Sequence, residues 1–178
     1  MKILLGVTGS IAAYKSAELL RMFQRRGHDV RVVMTKSATK FVGELTFRTL
    51  SRYPVYVDMF AGGDGWRPEH IALGEWPDVF VIAPCTANVI AKVAHGLADD
   101  LLSATALSVQ APLLVAPAMN DRMLANAATQ TNLELLRSRG VALVESGSGA
   151  LACGYDGQGR LADLDEILSA TEALLPKE

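Results

Sequence analysis

Short apolar runs alternate with amphipathic segments along most of the chain. Residues Lys2–Val7 show no alternation of polar and apolar positions, which predicts a strand buried on both faces. From Ser10 the apolar residues follow a helical period, and Gly27 is placed to end that helix. Further buried strands are predicted at Val30–Met34, Val79–Ala83, Leu113–Ala116 and Val141–Val144. We expect Pro84 and Pro117 to end the second and third of these.

The intervals between these strands carry helical or loop patterns. Helices are predicted within Ser37–Leu50 and over Thr86–Ala94, Asp100–Val109, Thr129–Arg139 and Asp163–Leu175. The glycine-bearing stretches Ala61–Pro68 and Ser146–Arg160 are predicted to be loops, and Val55–Val57 a short extended piece. Apolar strands alternating with helices predict an α/β fold, an open parallel sheet in three layers that is Rossmann-like. With no repeat and no linker, we expect a single domain over residues 1–178.

Composition removes several classes of function. The 178 residues are 50% hydrophobic and carry a net charge of −2, and no Lys/Arg run interleaves with aromatic residues, so we expect no nucleic-acid partner. No apolar run approaches the roughly 20 residues that cross a bilayer, and the N-terminus lacks signal-peptide features. The two cysteines form no CxxC motif, which disfavours a disulfide framework and a structural metal. The expected location is cytoplasmic, without a membrane partner.

Small and polar residues follow the predicted strands, where open parallel sheets bind ligands. After the first strand, Gly6–Ile11 lacks the glycines of a dinucleotide fingerprint and of a P-loop. What remains is a tight turn whose backbone N–H groups and Ser10 hydroxyl could hold a phosphate, or simply a serine that caps a helix. The other such segments are Thr35–Ser37, Pro84–Asn88 and Pro117–Asn120.

Each of these segments has a structural interpretation beside the functional one. Thr35–Ser37 suits a ribose-like group or an ordinary polar turn, and Thr86 suits a ligand or a helix cap. Cys85 is predicted to be a buried small residue, because no base is adjacent in sequence. The neutral amide of Asn120 can hold a carboxylate without stabilising its charge as an arginine would, which favours decarboxylation. It also suits the N-cap of a helix through Met123.

Two loops carry candidate acid–base groups. His28 and His95 fit helix-end or surface positions, whereas His70 leaves a glycine-rich loop and is a candidate general base. The loop Ser146–Arg160 suits either a flexible surface loop or a mobile lid, which would bring a possible proton donor, Cys153, and a phosphate ligand, Arg160.

Five segments in order carry a family resemblance over essentially the whole chain. They are Gly9–Lys15, His70–Leu73, Ala83–Asn88, Pro117–Asn120 and Ala152–Arg160. On these motifs the chain resembles the homo-oligomeric flavin-containing cysteine decarboxylases. Two positions depart from the usual family pattern, Cys85 and Leu124, and neither coincides with a matched catalytic residue.

The resemblance implies a bound FMN and a set of site residues. The implied catalytic residues are His70, the carboxylate-binding Asn120 and the acid Cys153, with Met123 and Arg160 also contacting substrate. The implied FMN contacts are Gly9, Ser10, Ile11, Thr35, Ser37, Thr86, Ala87, Asn88 and Ala118. The family also implies a trimer, often assembled into a dodecamer, with active sites between subunits.

The implied reaction is decarboxylation of 4′-phosphopantothenoylcysteine to 4′-phosphopantetheine in coenzyme A biosynthesis. The flavin takes a hydride from the cysteinyl Cβ, the resulting thioaldehyde loses CO2, and the hydride then returns. Bacterial relatives are often fused to a ligase that makes the substrate, so a ligase domain or protein is a possible partner. The alternatives are a peptidyl-cysteine decarboxylase and a flavin-binding regulatory subunit, with a prenyl-flavin synthase weaker still.

Overall fold

The computed structural model describes residues 1–61, 67–150 and 152–176. The strands of its central sheet are β1 (Lys2–Val7), β2 (Asp29–Met34), β3 (Val55–Tyr56), β4 (Val79–Cys85), β5 (Leu113–Pro117) and β6 (Ala142–Leu143). This six-stranded sheet is all-parallel and has the order β3-β2-β1-β4-β5-β6. The strand order reverses between β1 and β4, which creates the crevice where such sheets bind ligands.

Helices cover both faces of this sheet. Successive residues of a strand point to opposite faces, so Ile3 and Leu5 of β1 pack into one apolar layer and Leu4 into the other. The helices are α1 (Lys15–Arg25), α2 (Glu44–Ser51), α3 (Glu69–Glu75), α4 (Ala87–His95), α5 (Leu101–Ser108), α6 (Asp121–Ala125), α7 (Ala127–Ser138) and α8 (Leu164–Leu174). The first layer includes residues of α1, α2 and α8, and the second includes residues of α3, α4, α5 and α7. The predicted three-layer α/β fold is therefore confirmed.

Local sequence signals account for many of the helix ends. Gly27 and Gly140 follow α1 and α7 with φ of +82°, a conformation that glycine adopts at little cost. Asp100 begins α5 with a reciprocal capping box, in which its side chain accepts from the backbone of Ser103 and Ser103 accepts in return. In the described parts of the chain, no helix is long and apolar enough to cross a bilayer.

Several predicted boundaries of strands and helices differ from the structure, and two of them lie where β1 and β4 end. Strand β4 continues past Pro84 to Cys85, with a shift in its register against β5 between Ile82 and Cys85. Proline cannot donate to a ladder, but its fixed φ is compatible with a strand end. The helix expected from Ser10 onward is two helices, a 3₁₀ turn at Ile11–Tyr14 followed by α1. A second 3₁₀ turn lies at Ala38–Lys40.

Two predicted loops are also corrected. Most of Ser146–Arg160 forms an antiparallel β-hairpin of β7 (Gly147–Ala150) and β8 (Asp156–Arg160), called the hairpin below. Glycines adopt positive φ here at Gly149 and Gly159, so a glycine-rich sequence is compatible with regular pairing. His70 lies in the first turn of α3 and not on a loop. Residues 62–66 of the predicted loop Ala61–Pro68 lie outside the described residues.

Candidate active site

The polar segments singled out from the sequence meet at one edge of the sheet. Strands β2, β1, β4 and β5 are neighbours in that order, and all four are parallel, so their carboxyl ends lie side by side. The residues that follow these strands form a row of small residues and of residues that bear a hydroxyl or an amide group. This row consists of Thr35 and Ser37 after β2, Gly9 and Ser10 after β1, Thr86, Ala87 and Asn88 after β4, and Ala118 and Asn120 after β5.

Two buried hydroxyls tie the end of β4 to the β1 side of this edge. Thr8 Oγ1 donates to the Pro84 carbonyl at 2.8 Å and accepts from the Thr86 backbone N–H at 3.1 Å. Ser16 Oγ donates to the Ala83 carbonyl at 2.7 Å. Sequence analysis gave neither hydroxyl a role, although a hydroxyl among buried apolar neighbours signals a satisfied internal hydrogen bond.

The turn after β1 lies directly against the turn after β2. A Cβ added to Gly9 would lie only 2.4 Å from Ser37 Cβ, well inside van der Waals contact. Glycine is required here because of this close approach. The two turns therefore form one continuous polar surface.

The capping interpretations are also confirmed for individual residues. The side chains of Ser10 and Thr86 accept from Ala12 N and Val89 N at 3.3 and 3.4 Å. Thr35 Oγ1 accepts in the same way from Ala38 N at 3.2 Å. A hydroxyl that accepts from the backbone keeps its own proton to donate, so capping and ligand binding are compatible. Burial raises the pKa of the Cys85 thiol, as expected of an inert core residue.

A cavity of about 420 Å³ lies between this edge and the hairpin. It brings together residues from the β1 turn, from the segment after β5, and from the hairpin. Of the predicted site residues, those that line it are Ser10, Ile11, Ala118, Asn120, Cys153 and Arg160. Gly9, Thr35, Ser37, Thr86, Ala87 and Asn88 lie on the same edge outside this lining.

The side chain of Asn120 makes three hydrogen bonds to other described residues. Its Oδ1 accepts from Arg122 N at 3.0 Å, which confirms the predicted N-cap of α6. Its Nδ2 donates to Cys153 Sγ at 3.3 Å and to Tyr155 Oη at 2.9 Å. Tyr155 Oη in turn donates to Asp121 Oδ1 at 2.7 Å. The amide and the thiol predicted to act together are thus in contact, and Tyr155 is a neighbour that sequence analysis missed.

Two cations face the same cavity. Lys15 and Arg160 both line it, and desolvation together with the Arg160 charge lowers the pKa of Lys15. Asp163 Oδ1 lies 4.0 Å from Arg160 Nη2, and the Asp163 charge partly offsets the lowering of the Lys15 pKa. Two like charges at one cavity favour an anionic ligand. Sequence analysis assigned a phosphate to Arg160 but gave no role to Lys15, which lies 145 positions earlier in the chain.

Two predicted site residues lie away from this cavity. His70 is half-buried in α3, and its carbonyl accepts from Ser108 Oγ of α5 at 3.0 Å. Met123 is 50% exposed on α6. Within one copy of the chain, the described residues do not bring either side chain to the cavity lined by Asn120 and Cys153.

Comparison with known proteins places this chain in a family. A model of the Flavoprotein family matches residues 1–175, and the chain belongs to that family. A probable phosphopantothenoylcysteine decarboxylase of Streptococcus mutans is 43% identical over 176 residues, covering 98% of both chains. The coenzyme A biosynthesis bifunctional protein CoaBC of Escherichia coli is 48% identical over 162 residues. That match covers 91% of this chain but only 40% of CoaBC.

Solved structures agree with these sequence relationships. A PPC decarboxylase mutant complexed with pantothenoylaminoethenethiol superposes with a TM-score of 0.87 at 34% identity, covering 97% of this chain and 96% of that one. An FMN-dependent cysteine decarboxylase, SpaF, gives a TM-score of 0.82 at 32% identity, with 96% and 97% covered.

Proposed function

We propose that this chain is an FMN-dependent decarboxylase that converts 4′-phosphopantothenoylcysteine into 4′-phosphopantetheine in coenzyme A biosynthesis. The observation that carries the proposal is the contact of a neutral amide with a thiol: Asn120 Nδ2 lies 3.3 Å from Cys153 Sγ in a cavity beside the ligand-binding edge. The similarity to a probable phosphopantothenoylcysteine decarboxylase of nearly equal length supports this choice of substrate.

The residues at the sheet edge fit FMN. Gly9 lets the β1 and β2 turns pack directly against each other, so their polar groups can face a ligand as one surface. Ser10, Thr35, Ser37 and Thr86 offer hydroxyls suited to a phosphate and a ribityl chain. When bound, FMN supplies an acceptor and donor for the hydride of the substrate cysteine. Ile11, Ala87, Asn88 and Ala118 complete the proposed contacts.

Asn120 is proposed to bind the substrate carboxylate. The backbone N–H of Arg122 donates to Asn120 Oδ1, so the amide oxygen is already engaged. The Nδ2 group faces Cys153 and Tyr155 and is the donor available for a carboxylate. A neutral donor orients the carboxylate without the strong ground-state stabilisation that a cation would give. This lets the negative charge move out of the carboxylate as CO2 leaves.

Cys153 is the proposed proton donor of the reductive step. It is exposed on the hairpin and yet in contact with Asn120, so it lies beside the site where the carboxylate departs. Its proton goes to the substrate carbon that CO2 has left.

Lys15 and Arg160 are proposed to hold the phosphate of the substrate. Both side chains line the cavity that contains Asn120, and a phosphate between them would neutralise two adjacent cations. A phosphorylated substrate is therefore favoured over a neutral one.

His70 is proposed to act in the oxidative step from a neighbouring copy of the chain. The position of His70 on α3, away from the cavity of its own copy, supports a site shared between subunits. The proposed assembly is a homotrimer or a dodecamer built from trimers. Met123, exposed on α6, is proposed to contact substrate in the same way. The cytoplasmic location, the single domain and the ligase partner stay predictions.

Mass spectrometry of the purified protein incubated with 4′-phosphopantothenoylcysteine tests the proposal, together with an absorbance spectrum. We expect product lighter than substrate by one CO2 and a flavin band that is released as FMN on denaturation. Flavin without that mass change would refute the substrate, and activity on a peptide ending in cysteine would identify a peptidyl-cysteine decarboxylase. Flavin with neither activity would indicate a regulatory subunit. A colourless protein without FMN would refute every flavin-dependent function.

A further inference from the structure

Residues 152–155, between β7 and β8, are called the hairpin tip below. Tyr155 in this tip contacts Asp121 at the start of α6, and the chemistry proposed above does not use this contact. The Tyr155 hydroxyl donates to Asp121 Oδ1 at 2.7 Å and accepts from Asn120 Nδ2 at 2.9 Å. Both bonds join residues more than 30 positions apart. Because one of them ends on a carboxylate, it belongs to the stronger class of hydrogen bonds.

The base and the tip of the hairpin are held by different groups. At the base, Met119 N donates to the Gly159 carbonyl at 2.9 Å, a bond between backbone groups that involves no side chain. At the tip, Cys153 and Tyr155 are both exposed, and Asn120 is the shared partner of their side chains. The position of Cys153 therefore depends on side-chain contacts at the tip.

The two bonds from Asn120 differ in strength. The bond to Cys153 Sγ spans 3.3 Å to a weak sulfur acceptor, and the bond to Tyr155 Oη spans 2.9 Å to oxygen. An incoming carboxylate oxygen will displace the weaker of the two. The thiol is then released from Asn120, while Tyr155 keeps the tip in place.

We propose that Tyr155 is a positioning residue: held by Asp121, it fixes the hairpin tip over Asn120 and so keeps the Cys153 thiol beside the substrate. Asp121 acts through Tyr155, since its carboxylate orients the hydroxyl proton away from Asn120. The hydroxyl oxygen is thereby left as an acceptor for the Asn120 amide. The consequence for catalysis rests on the function proposed above, but the position of the hairpin does not.

Hydrogen exchange measured by mass spectrometry on the purified holoprotein tests the contact directly. In Tyr155→Phe, the peptide covering residues 147–160 should exchange about tenfold faster, because the substitution removes one charge-assisted and one neutral hydrogen bond, both exposed to solvent. Asp121→Asn keeps a neutral acceptor and should give a smaller increase. The double variant should match Tyr155→Phe, because both changes remove the same contact. Tyr56→Phe, on β3 at the far edge of the sheet, is the matched control.

A single turnover with 4′-phosphopantothenoylcysteine tests the positioning role. Tyr155→Phe should release CO2 but form less thiol product for each CO2 released, since proton delivery from Cys153 is impaired and the oxidised enethiol accumulates. A merely destabilised protein would lose both products in proportion. Unchanged exchange in the 147–160 peptide, or faster exchange throughout the protein, would overturn the proposal. If the wild type lacks decarboxylase activity while exchange changes as expected, the proposed function fails and the contact stands.

Discussion

Gly159 lies so close to Met119 that no other residue fits without a shift of the backbone. A Cβ at position 159 would lie 2.3 Å from the Met119 carbonyl oxygen, and the φ of Gly159 is +126°. The same two residues are joined by the hydrogen bond from Met119 N to the Gly159 carbonyl. The hairpin therefore meets the segment before Asn120 backbone to backbone.

Gly159→Ala should detach the base of the hairpin. The clash and the strained φ together predict a loss of about 2–3 kcal/mol in the free energy of unfolding, measured by denaturant titration. Product formation should fall with it, since Asn120 follows Met119 directly. Gly154→Ala is the control: its φ is +87°, but an added Cβ meets no atom within 4 Å. Equal effects of the two substitutions would contradict a role for close packing.

Gly9→Ala should reduce the FMN content of the purified protein. An added Cβ would lie 2.4 Å from Ser37 Cβ and push apart the two turns proposed to hold the cofactor. Absorbance near the flavin band, relative to protein, measures the loss. Gly43→Ala, where an added Cβ meets no atom within 4 Å, should retain full colour. Normal FMN content in the Gly9 variant would place the cofactor elsewhere.

Lys15→Gln should discriminate between substrates with and without a phosphate. Losing one charge-assisted contact predicts an increase of about tenfold in KM for 4′-phosphopantothenoylcysteine. The KM for pantothenoylcysteine should change little, and Lys40→Gln, exposed on the second 3₁₀ turn, should affect neither. The same increase in KM for both substrates would show that Lys15 does not bind the substrate phosphate. Loss of FMN in Lys15→Gln would instead assign Lys15 to the phosphate of the cofactor.

Two inactive variants should complement each other if the site is shared between subunits. We expect His70→Asn to abolish turnover while keeping the yellow colour, and Cys153→Ser to release CO2 without forming product. In mixed oligomers from co-expression, random assembly leaves about a quarter of the sites with both residues intact. Product formation should return in proportion to the fraction of these intact sites. Its absence in verified mixed oligomers would show that both residues serve the same subunit.

The contact between Tyr155 and Asp121 should weaken both at low pH and at high pH. The hydroxyl bond lowers the pKa of Asp121, and the same bond raises the pKa of Tyr155. A lowered carboxyl pKa stabilises the folded tip above the ordinary Asp value of about 4, and this contribution is lost as pH falls through the folded value. A raised phenol pKa contributes below about 10 and is lost as pH rises.

Difference spectra between the wild type and Tyr155→Phe isolate the phenol titration of Tyr155. Asp121→Asn should move that titration to lower pH, because the neutral amide no longer opposes phenolate formation. The other charged or titratable groups that act on this pair are Arg122 and Cys153, so both are kept unchanged. A titration that Asp121→Asn leaves in place would show that the contact is absent in solution.

Local patterns were sufficient for most of the fold. The buried runs at Lys2–Val7 and Val79–Ala83 and the capping signals at Thr86 and Asn120 depend on near neighbours in the chain, and the structure confirms them. The hairpin was missed because its glycines indicate a turn or loop locally. Pairing across Gly149 and Gly157 depends on the partner strand.

The sequence by itself determined the alternation of strands and helices, and with it the edge where Ser10, Thr86 and Asn120 lie. It did so because hydrophobic periodicity and the short connections between successive strands and helices are local features of the chain. Only the tertiary structure decided that Asn120 contacts Cys153 and Tyr155, and that Lys15 shares a cavity with Arg160. These residues are far apart in the chain, and their contacts depend on how the hairpin packs against the sheet edge, which no local pattern records.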